Sequence, residues 1–120
     1  MTVLLTGEDL LALVEDLAVG PVRDVGLLES AAHRPGAVVY GHEAYSDLDR
    51  KAAALLDSIV GNHPLVDGNK RLGWLAVVVF YGLNDVDLDA PDDPAHDLVV
   101  SVAQRDFSID EIAEALACWH

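Results

Sequence analysis

Apolar residues recur at helical spacing along almost the whole chain. Leu10, Leu13, Val14 and Leu17 fall on one stripe, and Thr6 with Asp9 forms a capping pair just before it. Gly20-Pro21 stops that first helix. Asp24 can cap a second, from about Val25 to His33, with Leu27, Leu28 and Ala31 on one side and Arg34-Pro35-Gly36 as its stop. The stretch Ala37 to His42 breaks the pattern. It is short, β-branched and bracketed by glycines, and it reads as an extended loop or small hairpin. Asp47 then caps a third helix, with Leu48, Ala52, Leu55, Leu56 and Ile59 facing inward and an end near Gly61-Asn62.

Leu72 to Leu83 is apolar nearly all round, which predicts a helix buried at the centre of a bundle. Asn84 to Asp93 reads as an acidic connector, followed by a fifth helix over about Ala95 to Ala103. Ser108 and Glu111 form a capping box for a last helix, Ile109 to Ala117. The expectation is a single all-α domain over residues 1–120, a compact bundle of about six helices carrying one short extended or β-hairpin flap.

Composition narrows the function. The chain is 52% hydrophobic, enough to bury a core, and carries 21 Asp and Glu against seven Lys and Arg, for a net charge of -14. Nucleic acids and anionic membranes are gripped by clustered cations, so direct binding to either is not expected, whereas a basic protein partner would suit. The longest apolar stretch is too short to cross a bilayer, which takes about 20 residues. The single cysteine, Cys118, has no partner for an internal disulfide, and Met1 to Thr6 lacks the pattern of a signal peptide. A cytoplasmic protein is expected. Cys118 itself reads as a small buried hydrophobe. His33, His96 and His120 have no metal-ligand spacing, and Asp85, Asp87 and Asp89 lack the glycine and distal glutamate of a calcium loop.

The chemistry concentrates in His63-Pro64-Leu65-Val66-Asp67-Gly68-Asn69-Lys70-Arg71. The segment enters the apolar helix, whose first backbone N–H groups are unpaired and attract an anion. Gly68 lets a phosphate oxygen come close, and Lys70 and Arg71 add full charges. Asp67 can carry magnesium, an ion that binds through one or two carboxylates together with phosphate oxygens. Imidazole titrates near neutral pH, so His63 suits the removal of a proton from an incoming hydroxyl. Leu65 is expected to plug the loop into the core. Each piece taken singly is an ordinary loop, turn or cap residue; their convergence points to a site.

This segment resembles the signature of the Fic/Doc superfamily, His-x-Phe-x-(Asp/Glu)-x-Asn-x-Arg. Val22 to Ala31, Ala52 to Leu56 and Leu83-Asn84 also fit, so the likeness runs from about residue 22 to 100. The resemblance implies His63 as general base, Asp67 as the magnesium carboxylate, and Gly68, Asn69, Lys70 and Arg71 as the phosphate-binding set. It also implies that segment 36 to 42, with Val38, Val39 and Tyr40, is a flap that docks the target backbone by strand addition. His42 and Tyr45 are weaker candidates beside it. Leu65 stands where the family usually has Phe. Members that transfer AMP usually have Gly where this chain has Lys70 and a second Arg where it has Trp74.

Those departures make the chain similar to the Doc branch, toxins of toxin–antitoxin pairs. The resemblance implies phosphoryl transfer from ATP or another nucleoside triphosphate, with Mg2+, onto a hydroxyl of elongation factor Tu. Translation and growth would stop. The Ser/Thr-x-x-x-Glu pattern of self-inhibiting members is absent, since Thr6 is followed by Leu10 and Ser108 by Ile112. Inhibition is therefore expected from a separate cognate antitoxin. The alternatives are a protein adenylyltransferase and a non-catalytic module that binds nucleotide or antitoxin.

Overall fold

The computed structural model describes residues 1–120. Its elements follow in the order α1 (Gly7–Leu17), α2 (Val25–His33), a 3-10 turn (Arg34–Gly36), β1 (Val38–Val39), β2 (His42–Glu43), α3 (Leu48–Asn62), α4 (Asn69–Leu83), α5 (Asp92–Ala103) and α6 (Ile109–Ala117). Four helices begin where their capping residues predict. Thr6, Asp24, Asp47 and Ser108 each accept a hydrogen bond from the first turn they precede, and Asp9 and Glu111 return one to complete two capping boxes.

The centre of the bundle is α3, not the more apolar α4. Ala52, Ala53, Ala54, Leu55, Leu56, Ile59 and Val60 of α3 are all buried, and α2, α4, α5 and α6 pack round it. The three alanines supply the reason: small side chains let neighbours close in from every side, so hydrophobic content alone does not decide which helix is interior. On α4, Leu72, Ala76, Val77 and Phe80 face α3, while Trp74, Leu75 and Val78 are only half-buried and line an open apolar cleft with Leu17 and Val99. Gly73 draws the two helices together, since a Cβ there would stand 2.5 Å from Val60 Cγ2. The C-terminal end of α3 thus lies against the start of α4.

Two further expectations shift. The fifth helix begins at Asp92, earlier than Ala95, because Pro94 falls in the first turn, where its missing N–H has no helical partner to lose. Cys118 is exposed, not buried: the last helix ends at Ala117, and the tail is held instead by Trp119 edge-on to Trp74 and by His120 on Asp49. Asp49 also accepts from the Tyr81 hydroxyl at 2.6 Å. Burial first, then that hydrogen bond, pushes the phenol well above its ordinary range.

The flap is a two-stranded antiparallel hairpin pairing Val38 with Glu43 and Val39 with His42. Tyr40 and Gly41 between the strands both lie at positive φ, as a two-residue turn of the I′ kind requires. Its root is tied to α3 by a buried amine. Lys51, 3% exposed, donates to Glu43 Oε1 at 3.0 Å and to the Tyr45 and Pro35 carbonyls. Tyr45 joins that root through its hydroxyl, which accepts from Arg34 Nε at 2.9 Å.

Candidate active site

The loop between α3 and α4 is fixed by a distant segment of chain. Residues 64–67 run antiparallel to residues 20–24 through an isolated bridge between Val22 and Leu65. Gly20 N donates to Asp67 O at 3.0 Å, Val66 N to Pro21 O at 2.9 Å, and Arg23 N to Pro64 O at 2.7 Å. Leu65 is buried and plugs the loop into the core, as its apolar character predicts. Gly68 then starts α4 at φ +92°, where a Cβ would collide with Val19 at 2.5 Å. Only glycine meets both demands.

His63, Asp67, Gly68, Asn69, Lys70 and Arg71 all line one cavity of about 330 Å³, with Val60 and Ala103 among its apolar walls. Every residue expected in the phosphate and catalytic set therefore borders the same space. Their contributions differ. Asn69 is committed through its side chain to the loop: Oδ1 accepts from Leu65 N at 2.9 Å and Nδ2 donates to Leu65 O at 3.0 Å. Its backbone N–H and those of Lys70 and Arg71 make no bond within the protein and are open to an anion. Gly68 brings no side-chain cap, so nothing competes for that helix start.

The cations sort themselves sharply. Arg34 pairs with Asp57, Arg50 with Asp47 and Asp110, and Lys51 with Glu43. Arg23 and Arg105 donate to carbonyls at the end of α3. Of the seven Lys and Arg, only Lys70 and Arg71 have no partner, in a chain holding 21 acids. Two positive charges adjacent in sequence and left unpaired at a helix start, on one cavity, suit an anion. The Asp67 carboxylate on the same rim is likewise free of hydrogen bonds and ion pairs.

His63 caps α3 in the left-handed region, φ 57° and ψ 61°. Its ring Nδ1 sits 3.2 Å from Gly61 O. A carbonyl can only accept, so this contact is a hydrogen bond in the tautomer with the proton on Nδ1, which leaves the Nε2 lone pair of the neutral ring free. That is the form in which imidazole takes a proton from a hydroxyl.

The flap residues lie apart from this cavity. Val38, Val39 and Tyr40 are 63%, 54% and 97% exposed, forming an apolar strand with one edge unpaired and a tyrosine at its tip. His42 is exposed beside them, whereas Tyr45 serves the flap root. Arg23 and Arg105, which hold the end of α3, were not singled out by sequence. Each reaches across some forty residues of chain, and no local pattern marks such a contact.

No three His, Cys, Asp or Glu side chains gather as a metal site, and no helix is long and apolar enough to cross a membrane. Over residues 4–81 the chain matches the profile described as the Fic/DOC family. It is 53% identical over 98 residues to "Toxin Doc" of Mycolicibacterium smegmatis (strain ATCC 700084 / mc(2)155), an alignment covering 80% of this chain and 75% of that protein.

Proposed function

Because the chain belongs to the Fic/DOC family, and within it is of the Doc type, we propose that it is a toxin that moves a phosphoryl group from a nucleoside triphosphate to a hydroxyl of a target protein. ATP with Mg2+ is the proposed donor, and elongation factor Tu, in the cytoplasm, the proposed target. Translation and growth stop, and a cognate antitoxin neutralises the toxin. One observation carries the reading: Lys70 and Arg71 are the two unpaired cations of a strongly acidic chain, and they stand at an open helix start beside His63.

In this reading the three N–H groups of residues 69–71 and the two side-chain charges hold the phosphates. Asp67, the one acid lining the cavity, would supply the protein's carboxylate to magnesium. Magnesium held there would neutralise charge that builds on the phosphate oxygens. The target hydroxyl oxygen forms a bond to the γ-phosphorus as the bond to the bridging oxygen breaks, the nucleoside diphosphate leaves, and the hydroxyl proton passes to His63 Nε2. Such proton removal is worth roughly 10² to 10⁴ in rate. The exposed edge of Val38–Tyr40 is suited to pairing with the target backbone and so to presenting that hydroxyl.

Phosphoryl transfer is favoured over adenylyl transfer by Lys70. Its side chain borders the cavity where AMP-transferring members have Gly, filling room an α-phosphate would need. Trp74, where they have a second Arg, is half-buried against Trp119 and brings no charge.

The test is direct. Purified elongation factor Tu is incubated with the protein, ATP and Mg2+, and weighed intact. A gain of one phosphoryl group is expected, abolished by His63→Ala and by Asp67→Ala, which also relieve growth arrest. A gain of one AMP overturns the kinase reading in favour of an adenylyltransferase. Arrest that persists in both variants means that binding, not chemistry, is the activity.

A further inference from the structure

We propose that Arg105 is a positioning residue for His63, setting which ring nitrogen carries the proton. This rests on the reading of His63 as the base. The last carbonyls of α3 have no helical donors, and two loops supply them. From the α1–α2 loop, Arg23 donates to His63 O at 2.6 and 2.9 Å and to Asn62 O at 3.1 Å. From the α5–α6 loop, Arg105 Nη2 donates to Gly61 O at 2.7 Å and to Asn62 Oδ1 at 3.0 Å.

Gly61 O is the shared atom. A carbonyl has two lone pairs; one takes the Arg105 guanidinium and the other faces His63 Nδ1 at 3.2 Å. The charged donor is the stronger of the two and fixes the direction of the carbonyl. The imidazole then has one acceptor in a set place, and its Nδ1 proton goes there. The missing side chain at residue 61 leaves the guanidinium room, since a Cβ would press on its carbon and both its terminal nitrogens at 3.2 Å. Arg105 itself does not line the cavity, so its influence reaches the chemistry through the Gly61 carbonyl. Once that donor is gone, the carbonyl is free to tilt. The ring then samples both tautomers, and in one of them Nε2 holds a proton and accepts none.

The experiment uses the full chain as wild type, Arg105→Met and Arg105→Lys. The 15N shifts of the His63 ring report its tautomer without any reaction, and steady-state transfer gives kcat and KM. Wild type is expected to be protonated at Nδ1 when neutral. Arg105→Met is expected to mix the tautomers and lower kcat roughly tenfold or more, the penalty of a base held less well. KM for ATP should not move, and Arg105→Lys, which keeps a cationic donor, should recover part of both losses. Should the methionine variant fail to fold, Arg105→Gln takes its place with the same expectations. A wild-type ring protonated at Nε2 overturns the proposal, as does a folded Met or Gln variant with unchanged tautomer or unchanged kcat. A wild type that transfers nothing sinks the kinase reading instead, and the tautomer shift then decides the proposal alone.

Discussion

At the level of single residues, the site depends on positions where only one side chain fits. Gly68 must hold φ +92° and leave space for Val19. In Gly68→Ala the strained dihedral and the collision add, and a loss of about 1–3 kcal/mol in stability is expected. The collision is relieved most easily by pulling residues 64–68 away from residues 20–24, so nucleotide affinity should fall with stability. Denaturant melts and nucleotide titration of the same sample check both; a variant with wild-type affinity refutes the link. Asn69 shows the limit of reading a motif by type. Its place in the signature implied a phosphate ligand, yet both ends of its amide are bonded to Leu65, and its unpartnered backbone N–H stands at the helix start. A side chain's presence in a motif does not specify which of its groups faces the ligand.

Among elements, the clearest mechanical connection runs from the hairpin to α3. Lys51 is buried and Glu43 mostly exposed, so the ion pair itself counts for little. The amine's further bonds to Pro35 and Tyr45 carbonyls carry more weight, because those acceptors lose their donor when it is removed. Lys51→Met keeps the length of the side chain and deletes the donor. It should cost about 1–3 kcal/mol and speed amide exchange across residues 38–43, raising KM for the target while leaving KM for ATP alone. Exchange at wild-type rates would show that the amine does not anchor the flap. Much of this level was legible beforehand. Thr6, Asp24, Asp47 and Ser108 marked four helix starts, and the glycine-bracketed β-branched run marked the hairpin. The interior helix was not legible, because hydropathy points to α4 while packing space selects alanine-rich α3. Nor was the arginine pair behind His63, whose contacts join loops far apart in sequence.

Over the whole molecule, the distribution of charge sets the conditions under which the site works. Five of seven cations are taken up by carboxylates or carbonyls inside the fold. The pair at residues 70 and 71 is a small positive island on a body of net charge -14. A nucleoside triphosphate approaching from afar meets the body first, because repulsion extends about 30 Å in dilute buffer and only about 8 Å at physiological ionic strength. Added salt should therefore hasten the nucleotide's arrival, the reverse of what a basic protein shows. Stopped-flow mixing with a fluorescent analogue between dilute buffer and physiological salt checks this, and an on-rate that drops steadily would contradict it. The acidity of this chain would then act as a throttle on fuel supply, one released by the ions of the cell.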